Sequence, residues 1–194
     1  VQQQVCSPSR NSYMTGRRPD RTRVWNFLDD FRVARNDSTG EGGVNGNGAS
    51  WATLPGYFLK MGYNVFGSGK TYHPNRPLNN DGSRSWLAYD QEIPGDRNHS
   101  CNNGKTVTGT NAAHNHTWIE ILDCEENDAE TLLTKAAVTH IKWATAEENA
   151  TRPFFIAMGH HRPHEPWIVP SRFYTVSFKH DIATYIASKV YFLY

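Results

Sequence analysis

Apolar positions along the chain predict helices that alternate with short strands. A helix over residues 54–61 begins with a capping threonine and a proline in its first turn, and residues 63–67 follow as a strand. A helix over 129–147 is predicted by one face at helical spacing, which consists of Leu132, Leu133, Ala136, Ala137, His140, Ile141 and Ala144. The continuous apolar run at 154–159 is typical of a strand buried on both faces of a parallel sheet. This alternation predicts an α/β fold with a mixed, mostly parallel sheet flanked by helices.

Two loops that carry basic residues follow the carboxyl ends of the predicted strands. The first contains Lys70 and His73, and the second contains His160, His161 and His164. Because open α/β sheets bind ligands at this edge, we expect a ligand site there. Lysine supplies a point charge, and histidine can transfer a proton near neutral pH. Two alternatives stay open: a zinc site formed by the three neighbouring histidines, and an ordinary loop role for His73.

The segment from Cys6 to Arg10 has the features of a helix start. Pro8 suits the first turn of a helix over residues 8–15, and Ser7 or Ser9 can cap its free amides. A helix N-terminus next to an arginine favours an anion, and Cys6 is then a candidate nucleophile. The alternative is a buried cysteine in front of an ordinary helix.

The motif Cys6-x-Pro8-Ser9-Arg10 resembles the signature of the type I sulfatases, and the continuation at 14–19 is similar to the same family. In that family a formylglycine-generating enzyme oxidises the cysteine to formylglycine, an aldehyde. The aldehyde hydrate attacks sulfur, and its second hydroxyl then helps to expel sulfate. The resemblance implies an alkaline-phosphatase-like fold and a sulfuric ester hydrolase with formylglycine made from Cys6.

The same resemblance implies roles for the residues of the two loops. Arg10 would hold the formylglycine, while Lys70, His73 and His161 would contact the sulfate. His161 or His73 would protonate the leaving group, and His164 would shape the substrate pocket. The loops are most similar to family members that remove 2-O-sulfate from uronic acids, so the implied substrate is a sulfated glycosaminoglycan such as heparan or dermatan.

One calcium ion is the metal that the resemblance implies, with the formylglycine at position 6 among its ligands. The family supplies the other ligands from an Asp-Asp pair before the cysteine motif and an Asp-His or Asp-Asn pair much later, and neither is present. The pair Asp29-Asp30 follows the motif, so the metal role is not transferred to it. We therefore expect this chain by itself to bind calcium poorly and to be inactive.

The length of 194 residues is that of one domain, here an incomplete N-terminal catalytic domain over 1–174. Within it we expect a flexible Gly/Asn loop at 36–50 and a long insertion at 75–126. Residues 175–194 depart from the family pattern, and the chain starts without methionine. We therefore expect a longer polypeptide, with the divergent tail coming from a truncated or misassembled coding sequence.

Charge and cysteine content narrow the class of protein. A net charge of +1 gives no global attraction to nucleic acid or to a membrane surface. Cys101 and Cys124 are the expected disulfide, which leaves Cys6 free. Four glycosylation sequons add to the expectation of a lysosomal or secreted protein, with chance sequons as the alternative: Asn36, Asn98, Asn115 and Asn149.

Two other functions stay open from the sequence. One is a phosphomonoester or phosphonate hydrolase of the same superfamily. The other is a non-catalytic module that binds sulfated glycans through Arg17, Arg18, Lys70 and the histidines.

Overall fold

The computed structural model describes residues 3–33, 48–91, 106–111, 116–121, 129–164 and 167–170. The helices are α1 (Cys6–Thr15), α2 (Pro19–Thr22), α3 (Leu54–Lys60) and α4 (Ala129–Thr145). The strands are β1 (Asn64–Gly69), β2 (Ala88–Gln91), β3 (Thr106–Asn111), β4 (His116–Ile121), β5 (Phe154–Gly159) and β6 (Trp167–Pro170). The chain divides into two compact units, Val1–Pro94 with Ala129–His161 and Gly95–Asp128 with Arg162–Tyr194.

A parallel sheet in the order β2-β1-β5 forms the centre of the first unit. Val65 of β1 belongs to a buried cluster against which Phe58 of α3 packs. The neighbouring Phe66 instead stacks on His140 of α4, with ring centroids 4.5 Å apart. Alternate residues of a strand point to opposite faces, so α3 and α4 cover the two faces of the sheet. The predicted α/β fold is confirmed.

Strand β1 is more buried than β5, which corrects the prediction for residues 154–159. Every residue of β1 is buried because β1 lies between β2 and β5. In β5, Phe154 is 42% exposed and Met158 is 38% exposed, since β5 is at one edge of the described sheet. On α4, Leu133 and Ala137 are buried as predicted, whereas Ile141 of the same predicted face is exposed.

The helix that carries Cys6 starts two residues earlier than predicted. Its N-cap is Val5, which makes no side-chain capping bond, so neither Ser7 nor Ser9 is the cap. Ser7 is buried inside the first turn, where its backbone carbonyl accepts a bond from the side-chain amide of Asn11 at 2.9 Å. The capping role of Thr53 in α3 is confirmed, because its hydroxyl accepts the N–H of Gly56 at 3.1 Å.

Two short segments of regular structure were not predicted from the sequence. Residues 19–22 form the short helix α2. Strand β2 pairs with β1 in parallel, although it falls within the predicted insertion at 75–126. The sheet of the first unit therefore includes residues 88–91.

The second unit contains a separate sheet in the order β3-β4-β6. Strands β3 and β4 are antiparallel, and β4 and β6 are parallel. Several predictions concern residues outside the described ones: the loop at 36–50 up to residue 47, the disulfide Cys101–Cys124, the sequons at Asn36, Asn98 and Asn115, and the tail at 175–194. Within the described ranges, no helix combines the length and the apolar character needed to cross a membrane.

Glycines allow β1 and β5 to approach closely where both strands end. Gly69 has a positive φ of 70°, and a Cβ at Gly159 would lie 2.0 Å from the carbonyl oxygen of Lys70. A side chain at Gly159 would therefore force the strand ends apart. Because Gly69 and Gly159 have no side chains, the backbone of Lys70 can pack directly against β5.

A buried ion pair joins the segment after α2 to the turn before β2. The guanidinium of Arg32 donates two bonds of 2.7 Å to the carboxylate of Asp81, whose side chain is 1% exposed. The remaining Nη1 of Arg32 donates to the carbonyls of Gly48 and Trp51 at 2.7 and 2.6 Å. This network holds three loops together around the start of α3.

We predict that Asp81→Ala lowers the free energy of unfolding by about 3–5 kcal/mol, because it leaves the Arg32 charge buried without its partner. Denaturant titration of the two proteins measures this difference. The control is Asp20→Ala, which removes an exposed pair with Arg18 and is expected to cost no more than about 1 kcal/mol. Equal effects of the two substitutions would contradict a stabilising role of the buried pair.

Candidate active site

Cys6 is the first residue of α1, and its side chain is partly buried. The first amides of a helix have no partner within the helix and point outwards, so the position favours a negatively charged group. The Sγ of Cys6 lies 4.0 Å from Nδ1 of His73. In a protein with formylglycine at this position, Sγ marks the place of the oxygens carried by the same carbon. The structure thus brings together Cys6 and His73, two of the predicted site residues.

Two side chains of α1 reach the loop that carries Lys70. The guanidinium of Arg10 donates to the carbonyl oxygen of Lys70, and the hydroxyl of Tyr13 donates to the carbonyl of Thr71 at 3.0 Å. These bonds fix the helix of Cys6 against the end of β1. The predicted contact of Arg10 with formylglycine stays a prediction, and a guanidinium has further N–H donors for it.

Lys70 is 4% exposed and follows β1 directly. Its backbone N–H donates to the carbonyl of Gly159 at 2.7 Å. Tyr89 of β2 supports the same loop, since its hydroxyl bonds Oγ1 of Thr71 at 2.7 Å and donates to the carbonyl of Gly69. Tyr89 was not predicted as a functional residue, because it falls within the predicted insertion at 75–126.

His73 packs against an aromatic side chain from another loop. The ring of Phe27 lies 5.0 Å from the imidazole, measured between centroids, and is 49% exposed. The backbone carbonyl of His73 accepts the N–H of Arg76 at 2.8 Å, and Nε of Arg76 donates to the carbonyl of Leu28 at 3.1 Å. The loop of Phe27 and the loop of His73 are therefore joined, and Phe27 covers one side of the imidazole.

His161 is partly buried and lies just beyond the end of β5. Its backbone N–H donates to Oε1 of Glu130 at 2.9 Å, and Oε2 of the same carboxylate contacts Nδ1 of His160. Glu130 was not recognisable from the sequence as a functional residue, since an acidic residue in the first turn of a helix is common. His164 belongs to the second unit, so its place in a substrate pocket stays a prediction.

The pair Asp29-Asp30 is engaged in backbone hydrogen bonds. Oδ2 of Asp29 accepts the N–H of Trp25 at 2.9 Å, and Oδ1 of Asp30 accepts the N–H of Arg32 at 2.7 Å. Burial raises the pKa of Asp30 above its ordinary value, against the lowering effect of its backbone bonds. Both carboxylates therefore stabilise a turn.

No group of three or more His, Cys, Asp or Glu side chains in the described ranges could hold a metal ion. The described residues thus do not fit the calcium ion that the resemblance implies. The alternative zinc site at His160, His161 and His164 spans both units and stays a prediction.

We predict that replacing Asp30 with Asn changes the pH dependence of stability. A carboxyl whose pKa is raised on folding stabilises the fold below its unfolded pKa, about 3.9, and loses this contribution as pH rises through the folded pKa. The stability of Asp30→Asn relative to the original protein should therefore increase between about pH 3 and pH 7, as measured by urea unfolding. A relative decrease would show that the pKa is lowered instead; Asp20→Asn is the exposed control.

Comparisons with known proteins agree with the motif at Cys6. The family model described as Sulfatase matches residues 1–191, which extends beyond residue 174, where the sequence analysis ended the resemblance. Human iduronate 2-sulfatase is 32% identical over 179 residues, which cover 89% of this chain and 29% of that protein. The mouse iduronate 2-sulfatase is 31% identical over 176 residues, with the same two shares. A sulfatase of Formosa agariphila is 27% identical over 175 residues, covering 88% of this chain and 32% of that protein. The chain thus spans about three tenths of the length of these curated relatives.

Proposed function

Because this chain belongs to the sulfatase family, we propose that it carries the nucleophile and sulfate-binding loops of a sulfuric ester hydrolase of the iduronate-2-sulfatase type. One observation supports this most directly: Cys6 at the start of α1 lies 4.0 Å from His73, and Arg10 of the same helix bonds the backbone of the buried Lys70. A nucleophile on a helix, with a cation and an imidazole on the loop that faces it, is characteristic of a site for an anionic ester.

Formylglycine at position 6 supplies a hydrated aldehyde, whose oxygen is the nucleophile towards sulfur. The environment of Cys6 suits this group, because the free amides of α1 and the imidazole of His73 favour an oxygen that carries negative charge. His73 would hold it through the nitrogen that now lies near Sγ, and Arg10 retains donors for it. Oxidation of Cys6 requires a formylglycine-generating enzyme as a partner during maturation.

Lys70 provides positive charge for the sulfate group. Its burial places the side chain in surroundings of low dielectric constant, where electrostatic attraction to an anion is stronger than in water. The backbone of Lys70 is bonded on both sides, to Gly159 and to Arg10, so little reorganisation is required when charge develops in the transition state.

Protonation of the leaving group is assigned to His161 rather than to His73. Displacement at a tetrahedral centre of this kind proceeds with the attacking and leaving oxygens roughly in line, so the proton donor belongs on the side away from the nucleophile. His73 lies next to position 6 and therefore interacts with the nucleophile. His161 comes from the separate loop after β5 and can protonate the departing alcohol oxygen near neutral pH.

The proposed substrate is a 2-O-sulfated uronic acid of a glycosaminoglycan. This choice is supported by the sequence of the two loops and by two relatives named iduronate 2-sulfatase. Passage through the secretory route to the lysosome or outside the cell is supported by the sequon at Asn149, which lies in a turn just after α4. Calcium remains an expectation for the family, to be tested by its effect on activity.

We predict that the protein carrying this chain hydrolyses an aryl sulfate and that Cys6→Ala abolishes this activity while its thermal unfolding is unchanged. The loss follows because alanine cannot be converted to the aldehyde. Turnover is measured after coexpression with a formylglycine-generating enzyme, and peptide mass mapping quantifies the aldehyde at position 6. Faster turnover of the matching aryl phosphate would favour a phosphomonoester hydrolase, and an intact thiol with heparin binding that survives Cys6→Ala would favour a non-catalytic binder.

We predict that His161→Ala lowers turnover by about 10²–10⁴-fold for aryl sulfates with basic leaving groups, and by less for those with acidic leaving groups. An acidic phenol leaves without protonation, so it depends little on a proton donor. The acidic leaving groups are the internal control, since a general loss of structure would lower turnover for all leaving groups alike. Equal losses for all leaving groups would contradict the assignment of His161 as the proton donor.

A further inference from the structure

Glu130 is a buried carboxylate next to the candidate site. It lies in the first turn of α4, and its side chain is 11% exposed. One oxygen accepts the backbone N–H of His161 at 2.9 Å, and the other contacts Nδ1 of His160. A single side chain thus holds both residues that follow the end of β5.

Burying a carboxylate is costly unless its oxygens are hydrogen-bonded, and hydrogen bonds to a charged acceptor are stronger than neutral ones. The free amides at the start of α4 further favour a negative charge at Glu130. The carboxylate is therefore held in a defined position, where it orients the backbone of His161 and the imidazole of His160.

The backbone on both sides of His160 is fixed by bonds to different elements. The carbonyl of Gly159 accepts the N–H of Lys70 at 2.7 Å, and the N–H of His161 donates to Glu130. The position of His161 relative to Lys70 thus depends on this strand bond and on the carboxylate of Glu130. Without Glu130, the chain beyond Gly159 would lose one of the bonds that define its path.

We propose that Glu130 is a positioning residue, which sets the backbone of His161 so that its imidazole meets the leaving group. This rests on the role proposed for His161 above. Glu130 itself does not contact the reacting atoms; it acts through His161.

The test compares variants of the whole protein after coexpression with a formylglycine-generating enzyme, with kcat expressed per aldehyde at position 6. We expect Glu130→Ala to lower kcat for an aryl sulfate with a basic leaving group by about 100-fold, because a small displacement of a catalytic group is costly. KM should change much less. Glu130→Gln retains an acceptor for the N–H of His161 and should restore most of kcat. Glu147→Ala, at an exposed glutamate beyond the end of α4, is the matched control.

A mutant cycle with His161→Ala separates positioning from general stability. If Glu130 acts through His161, adding Glu130→Ala to His161→Ala should cause no further loss of kcat. If Glu130→Ala does not fold, Glu130→Asp takes its place in the cycle, since its shorter side chain withdraws the carboxylate from the N–H.

Two results would overturn the proposal. A lower melting temperature with unchanged kcat per aldehyde would show a structural role only, and multiplicative losses in the double variant would show that Glu130 does not act through His161. Failure of the proposed function would look different: the unsubstituted protein would carry the aldehyde and still not hydrolyse aryl sulfates.

Discussion

The backbone contact between the ends of β1 and β5 is the constraint on which the candidate site depends. Lys70 follows one strand and His161 follows the other, and the bond from the N–H of Lys70 to the carbonyl of Gly159 holds the two ends together. This contact is possible because neither Gly69 nor Gly159 has a side chain. Parallel pairing therefore places two loops that are distant in sequence at one edge of the sheet.

Around this contact, the functional side chains are held mainly through backbone groups. Arg10 and Tyr13 donate to carbonyls of the Lys70 loop, Tyr89 of β2 donates to the carbonyl of Gly69, and Glu130 accepts an amide after β5. These bonds fix the backbone from which each functional side chain extends. The candidate site is in this way largely preorganised before any substrate is present.

The parts of the fold that sequence analysis predicted are those with a local signal. The capping threonine at 53 and the runs that became β1 and β5 are recognisable from neighbouring residues alone, and so is the loop that follows each strand. Glu130 and Tyr89 were missed because their partners lie 31 and 18 positions away, without any periodic pattern. The burial of β1 rather than β5 depended on β2, a strand within a segment too polar to be recognised.

Helix α1 is synthesised well before the residues that it contacts in the folded protein. It has ten residues, no side-chain cap and several weak helix formers, so it is not stable by itself. Its partners at Lys70 and Thr71 lie 60 and 58 positions further along the chain, and His73 lies 67 positions beyond Cys6. At ~5–20 residues per second, a ribosome needs roughly 3 to 13 seconds to make that stretch. During that interval the thiol lies in nascent chain that lacks its contacts with the Lys70 loop, and it is accessible to enzymes that act before the fold is complete.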